Sequence, residues 1–301
     1  MKKLYLLWAF VFFFGATASA QSFYTIRREK SLILSVGAGS STYYGELKDN
    51  SGLDKKPTAN LGLQYYLTDR ISLRSELNWF VLQANDGQAK DPSLRRRNLS
   101  FRENDYELNV TGAVNLWRSG NRYYRRPGFN IYGFAGLGVT YFNPKAEYQG
   151  TWYSLEPLHT EGKSYSRVIP VIPMGIGARF KISPTVNFVF EGGYRKTFTD
   201  YLDDVSTVYP NPASLSSDLA RALSNRYLNN DGSPNPNAGQ PGTQRGDPKN
   251  KDGYFLLTFK VEYYLPGDFH LFGTGQRKYG SFNQQRKSPF SRYKSNGKLK
   301  R

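Results

Sequence analysis

Few residues in this chain can do chemistry. It has two histidines, His159 and His270, and no cysteine, which removes zinc fingers, thiol catalysis, iron–sulfur ligation and disulfide frameworks. A Ser-His-Asp arrangement has at most two candidate bases, and neither histidine falls in a segment read below as a strand, where a membrane esterase would hold one. Asp200, Asp203 and Asp204, with Asp231 further along, could suggest calcium, but their spacing matches no calcium-binding helical loop. Gly37-Ala38-Gly39, Gly136-Leu137-Gly138 and Gly175-Ile176-Gly177 each contain GxG, without the third glycine or the strand-to-helix setting of a dinucleotide fingerprint. Inside strands such glycines make room for bulky neighbours such as Tyr66 and Phe134. No catalytic residue, cofactor or metal is therefore assigned, and the expected chemistry is binding.

What must position these residues is a set of strands with period-2 patterning. Val186, Phe188, Phe190, Gly192 and Tyr194 alternate with Asn187, Val189, Glu191, Gly193 and Arg195. Phe255, Leu257, Phe259, Val261, Tyr263 and Leu265 alternate with Leu256, Thr258, Lys260, Glu262 and Tyr264. Tyr106, Leu108, Val110, Gly112, Val114 and Leu116 alternate with Glu107, Asn109, Thr111, Ala113 and Asn115. Segments of about ten residues with one oily and one polar face are the signature of transmembrane strands, which average out as nearly polar. The mean hydropathy of −0.60 is therefore no argument against a membrane.

Eight strands are predicted, at about 31–45, 57–67, 70–83, 104–117, 128–142, 166–181, 185–199 and 253–265. The connectors alternate between short (68–70, 118–127, 183–184) and long (46–56, 84–103, 143–165, 200–252), as in outer-membrane barrels with periplasmic turns and extracellular loops. Aromatic doublets near strand ends, such as Tyr43-Tyr44, Tyr65-Tyr66, Trp79-Phe80, Tyr141-Phe142 and Tyr263-Tyr264, fit interfacial girdles. The expected fold is all-β: an eight-stranded antiparallel transmembrane β-barrel with long extracellular loops and a basic periplasmic C-terminal tail. In the longest loop, Asn211-Pro212 should open a helix through Leu215, Leu219, Leu223 and Tyr227, and 229–252, rich in Asn, Gly and Pro, should be flexible.

The chain starts with Met1-Lys2-Lys3, an apolar run to Gly15 and Ala18-Ser19-Ala20, the pattern of a cleaved signal peptide over 1–20. The expected organisation is then a periplasmic segment at 21–30, the barrel at 31–265 and the basic tail at 266–301. The charge of +17 falls to +15 on removal of Lys2 and Lys3. In an exported protein this points to outer-membrane lipid and lipopolysaccharide or an acidic protein, with no nucleic acid.

Arg74, Glu76, Glu107, Arg179, Glu191, Arg195, Lys260 and Glu262 all fall on the lumenal side of the predicted strands, four of each sign. An eight-stranded barrel is only wide enough for side chains to fill it, so these should pair into a salt-bridged plug, an open ion path being the alternative. Two basic clusters fall on the periplasmic side. One comprises Arg122, Arg125 and Arg126; the other, in the tail, includes Arg277, Lys278, Arg286, Lys287, Arg292 and Lys294, interleaved with Tyr279, Phe282, Phe290 and Tyr293. They are candidate contacts for an acidic periplasmic partner, against the plainer reading of a solvated, self-repelling tail.

Several runs resemble one known family. Asn143-Pro144-Lys145-Ala146, Gly150, Trp152, Leu155, Pro157-Leu158 and Thr160-Glu161-Gly162, then Tyr194-Arg195 leading into Thr197-Phe198-Thr199-Asp200-Tyr201-Leu202-Asp203-Asp204-Val205-Ser206, are similar to the PorG-type outer-membrane barrels of the type IX secretion system. The run Gly37 to Leu47 and Leu73 to Leu77 fit as well. The resemblance implies a non-enzymatic barrel that associates with a periplasmic ring containing a lipoprotein (PorK and PorN). Within that family motif, Asp203 and Asp204 are expected to fix loop hydrogen bonds at the barrel mouth.

Overall fold

The computed structural model describes residues 32–47, 55–119 and 125–265. The segment expected to be a signal peptide, His270, Arg122 and every named basic residue of the tail lie outside the described residues.

In chain order the strands are β1 (Leu32–Tyr44), β2 (Lys56–Tyr66), β3 (Ile71–Asn85), β4 (Ser100–Asn115), β5 (Phe129–Tyr141), β6 (Lys145–Tyr148), β7 (Thr151–Ser154), β8 (Val168–Lys181), β9 (Val186–Thr197) and β10 (Gly253–Leu265). Eight of them close a barrel in the order β3-β2-β1-β10-β9-β8-β5-β4, sealed by β3 pairing with β4, every neighbour antiparallel. Closure leaves no strand edge in the barrel wall. The strands form where the alternation predicts because each has an apolar outer row and a polar inner one. β4 alternates without interruption from Phe101, buried, to Asn115, buried.

The outer belt runs from Tyr106 and Tyr141 down to Leu116, Trp117 and Phe129, all exposed. Ten residues of strand at about 3.4 Å each, tilted about 40°, give a belt about 26 Å tall. That matches the apolar band of an outer-membrane barrel. Three of the aromatic doublets split between the two faces rather than lying wholly in the girdle: Tyr44, Tyr141 and Tyr263 face outward, whereas Tyr43, Phe142 and Tyr264 are buried. Period-2 geometry forces this on any two adjacent residues of a strand.

The loop expectations change at several points. β4 starts at Ser100 rather than 104, because Phe101 and Glu103 continue its inward row in a stretch whose charge reads as loop. After β5, Pro144 interrupts the strand, but β6 resumes the same register against β4: Tyr106 faces Tyr141 and Arg102 faces Lys145. β6 and β7 thus extend the wall beyond β5, joined by Gln149 and Gly150 at φ 50 and 79. These are the left-handed conformations of a two-residue hairpin turn.

The predicted helix is two pieces. Asn211 caps one helical turn, Pro212–Ser214, and Ser217 caps a separate helix over Asp218–Ser224, a second capping side chain having restarted the structure. A further helix, over Pro92–Arg97, is capped by Asp91. In chain order these two helices are α1 (Pro92–Arg97) and α2 (Asp218–Ser224). The stretch 229–252 has no regular element, yet Arg245 and Asp252 within it are buried, so it is pinned at points its composition does not reveal.

Candidate functional site: a bridged lumen beneath a capped mouth

Inward-facing positions on β3, β9 and β10 bring Arg74, Glu76, Glu191 and Lys260 together at mid-barrel, each 3% exposed or less. Arg74 donates to Glu191 at 2.5 Å, and the Lys260 ammonium donates to Glu76 at 2.6 Å and to Glu191 at 2.8 Å. β3 and β9 are four steps apart around the eight-strand ring, so the Arg74–Glu191 bridge spans the barrel's full diameter. The Tyr132 hydroxyl also donates to Glu191, and the Arg74 guanidinium stacks 4.6 Å over Phe134.

Two more levels are bridged. Toward the short turns, Arg179 grips Glu262 through two hydrogen bonds of 2.6 and 2.8 Å, and Asn187 donates to the same carboxylate at 2.8 Å. Toward the long loops, the Tyr254 hydroxyl donates to Glu107 at 2.6 Å, Asn78 donates at 3.0 Å, and Arg195 lies 3.4 Å away. β10 and β4 are again opposite strands. A buried charge survives by pairing, and removing one partner of such a pair costs about 3–5 kcal/mol, so the network is rigid.

The GxG glycines face this lumen. A Cβ at Gly177 would enter the Tyr132 ring, and one at Gly175 would press on Phe134. The Gly175–Gly177 pair therefore admits the two aromatic rings that flank Arg74, while Gly39 and Gly136 lie against the backbone carbonyls of Leu257 and Val110 on the neighbouring strands.

Above the lumen the motif residues pack into a cap. Thr197 donates to the Asp252 carbonyl at 2.6 Å. Leu202 is fully buried in an apolar cluster with Phe80, Phe101 and Leu256. Phe198 remains 54% exposed on the outer wall and Thr199 is half-buried; Tyr201 stacks on Tyr165 at 4.8 Å. Asp203 accepts from the Tyr43 hydroxyl at 2.7 Å and from the Val205 amide at 2.9 Å. Asp204 accepts from Thr160 and, at 2.8 Å, from the Tyr165 hydroxyl.

Burial pushes Asp204 up to about 6 against the pull of Arg245, and burial raises Asp200 to about 6. Asp203 and Asp252 are raised well above the usual carboxylate range, burial again being the main cause. Asp203 and Asp252 meet at the Tyr43 hydroxyl, Asp204 faces Thr160 and Tyr165 instead, and Asp231 is exposed, accepting from Ser233 at 2.9 Å.

The sequence reading missed the two cations that hold the cap. Arg245 donates to Glu161 at 2.8 Å and to the Asp204 carbonyl. Arg97 grips Asp86 at 2.7 and 3.0 Å and reaches the Arg245 carbonyl at 3.0 Å. Glu161 in turn accepts from the Ser206 and Thr207 amides at 2.9 and 3.0 Å. The long-loop segments 143–165 and 200–252 thus form one hydrogen-bonded unit over the mouth. His159, in a turn at φ 47, is exposed and remote from the lumen.

The arginines of the 118–127 turn separate. Arg125 is exposed. Arg126 is buried, donating to Asn187 at 2.8 Å and to the Ser183 and Val186 carbonyls at 2.9 and 3.0 Å, with Tyr264 4.4 Å beneath it. Its expected role at a partner surface is corrected: it closes the barrel floor, its guanidinium folding back onto the Ser183, Pro184 and Val186 carbonyls of the next turn.

A closed eight-strand wall with an apolar belt and a bridged interior is what a small outer-membrane barrel requires. The sequence matches the outer membrane protein beta-barrel domain over residues 6–214. The chain belongs to that family, and its place is the outer membrane. Among solved structures it is similar to Neisserial surface protein A, at 9% identity and a TM-score of 0.40 over 78% of this chain and 97% of that one. It is also similar to Ail of Yersinia pestis, at 13% identity and 0.38 over 79% and 99%, and to OprG of Pseudomonas aeruginosa, at 9% identity and 0.38 over 80% and 98%. No curated protein matches the sequence.

Proposed function

We propose that this barrel is a non-enzymatic, non-conducting anchor of the PorG type, which holds a periplasmic lipoprotein-containing ring of the type IX secretion system at the outer membrane. The observation that carries the non-conducting part is the Arg74–Glu191 bridge across the diameter, with Tyr254–Glu107 above it and Arg179–Glu262 below. Three successive polar layers leave a solute no wide path, which counts against the narrow-pore alternative.

The secretion role rests on the resemblance of the Thr197 to Ser206 run and of the 143–162 segment. Exposed Arg125 and the basic, aromatic tail are the surfaces offered to the ring, through charge pairs and aromatic anchors. A second reading, a stand-alone surface barrel whose loops meet an extracellular ligand, is favoured by the ordered cap, which is more structure than a passive loop needs.

The experiment is gentle solubilisation of outer membranes carrying tagged full-length protein or a version ending at Leu265, with mass spectrometry of what co-purifies. A periplasmic ring lipoprotein recovered with the full chain and lost with the truncation supports the anchor. Recovery of the barrel alone, while a known ring pair stays intact, supports the surface barrel. Steady unit currents in a planar bilayer overturn the plugged lumen.

A further inference from the structure

The long-loop end of the molecule sorts its charges by sign. Asp86, Glu161, Asp203, Asp204 and Asp252 are buried there, whereas Arg97 and Arg245 are its only buried cations among the described residues. The remaining cations stay at least partly exposed, so the surface of this end is basic although its interior is acidic.

Two of these cations sit at a defined height. On β4 the outward row runs Leu108, Tyr106, Asn104, Arg102, and on the β5–β6 line it runs Val139, Tyr141, Asn143, Lys145. The register places Tyr106 beside Tyr141 and, four residues higher on both lines, Arg102 beside Lys145. Leu108 and Val139 are 58% and 50% exposed in the apolar belt, so the tyrosines mark its upper boundary, where amphipathic rings settle. Four residues of tilted strand put the Arg102–Lys145 pair about 10 Å above that boundary.

Arg102 is exposed and Lys145 half-buried, and no carboxylate among the described residues pairs with either. Glu147, the next outward residue of β6, is itself exposed. Two like charges held side by side on adjacent strands repel each other unless an anion lies between them. The extended wall built by β6 and β7 is what brings Lys145 to this position at all.

We propose that Arg102 and Lys145 form a binding site for lipopolysaccharide, clamping one of its phosphate groups directly above the outer-leaflet acyl chains. The barrel's place in the outer membrane supplies the occupant: the lipid beside this wall carries anionic groups above its acyl chains. Long cationic side chains lie along the wall and present their heads at headgroup depth, and a guanidinium binds phosphate through two parallel hydrogen bonds. Asn104, exposed between Arg102 and Tyr106, adds a neutral donor for sugar hydroxyls, whereas Asn143 donates to Ser154 at 3.2 Å. The proposal depends on the outer-membrane location and not on the secretion role.

The test uses the full chain in neutral detergent micelles, titrated with purified short-core lipopolysaccharide and read by native mass spectrometry. The variants are Arg102→Glu/Lys145→Glu, the milder Arg102→Gln/Lys145→Gln, and the charge-matched control Lys90→Glu/Lys249→Glu, whose residues lie in exposed loops. Heat-modified migration on gels confirms a folded barrel in each, and the milder variant decides the matter if charge reversal impairs folding. The expected result is at least a tenfold loss of affinity for both row variants, less than twofold for the control, and a comparable tenfold loss when wild-type protein meets the same glycolipid stripped of phosphate. Equal losses for row and control, or no preference for the phosphorylated glycolipid, overturn the site. Displacement by millimolar inorganic phosphate alone identifies an anion site without lipid selectivity and likewise overturns it.

Discussion

The Tyr43 hydroxyl donates to Asp203 at 2.7 Å, tying the end of β1 to the Thr197–Ser206 run, with 160 positions between the two residues. The same oxygen lies 2.8 Å from Asp252. A phenol has one proton, so one of the two contacts needs a proton held by a carboxyl group. The ring also packs edge-on against Phe101 at 5.0 Å, which Phe in its place would preserve. Tyr43→Phe should therefore cost about 1–3 kcal/mol by leaving the two aspartates without their shared partner. The loss should be local: faster hydrogen exchange over 202–209, with the barrel's heat-induced gel shift unchanged. An unchanged exchange pattern would show that the bridge does not hold the cap.

The cap should loosen as pH rises. Asp204 and Asp200 are raised to about 6 and Glu46 to about 7, in each case chiefly by burial. A carboxyl group whose folded pKa lies above its unfolded value of about 4 holds its proton longer in the folded state. Between those two values the folded cap binds more protons than the opened one, so the stability these three groups contribute falls with rising pH and levels off above about 7. For Asp204 a rise of about two units corresponds to roughly 3 kcal/mol. Exchange rates of the cap amides, corrected for the intrinsic effect of pH, should show more protection at pH 5 than at pH 8, and Asp204→Asn should flatten the difference. Greater protection at pH 8 would reverse the sign and refute the account.

Arg245 is the cap's main cationic tie, joining Glu161, the Asp204 carbonyl and the Ser224 carbonyl. Arg245→Met keeps much of the side chain's length but strands Glu161 as a buried carboxylate, at a cost of about 3–5 kcal/mol. Limited proteolysis of intact cells should then cut within 200–252, where the parent protein resists. The double variant Arg245→Met/Glu161→Gln should recover part of that resistance, because it removes the unpaired charge along with the pair. Cutting at equal rates in parent and single variant would mean that the loop is held elsewhere.

Most of the barrel was legible because its rule is local. Residues two apart share a face, so Leu108 and Val110 declare the lipid side and Glu107 and Asn109 the lumen with no knowledge of any other strand. The site was half legible for the same reason: alternation puts Arg74 and Glu191 inside, but only closure of the ring makes them opposite each other. The cap was hardly legible. Arg245 sits in Gln244-Arg245-Gly246-Asp247, a stretch whose composition reads as solvent, and nothing local reveals that Glu161 awaits it. Arg126 misled in the other direction, since its arginine-rich turn reads as a surface while its guanidinium satisfies backbone carbonyls of another turn. The β6–β7 hairpin was hidden by Pro144, which normally ends a strand and here only interrupts one.

At mid-barrel, Glu191 is shared between Arg74, Lys260 and Tyr132. Glu191→Leu should destabilise the barrel by about 3–5 kcal/mol, since Arg74 then keeps only Glu76, at 3.5 Å, for charge pairing. Arg74→Leu/Glu191→Leu should be less damaging than Glu191→Leu alone, because an apolar pair leaves less buried charge unmatched. Urea unfolding from lipid vesicles, followed by tryptophan fluorescence, would show the midpoint falling and then partly returning. Additive midpoints would mean that the two residues do not act as a pair.

The glycine at 177 is required by the ring opposite it. A Cβ there would overlap the Tyr132 ring, and Tyr132 cannot retreat without leaving Glu191 and the Arg179 guanidinium that lies 4.5 Å from its ring centre. Gly177→Val should thus destabilise by about 1–3 kcal/mol through overpacking, despite valine's preference for strands. Gly177→Val/Tyr132→Ala removes the clash and should refold better than Gly177→Val, although Tyr132→Ala alone leaves a cavity and a weakened Glu191. That opposite-signed coupling is readable as a double-mutant cycle in the same vesicle assay. If valine costs the same with and without the tyrosine, the glycine is there for the backbone and not for the ring.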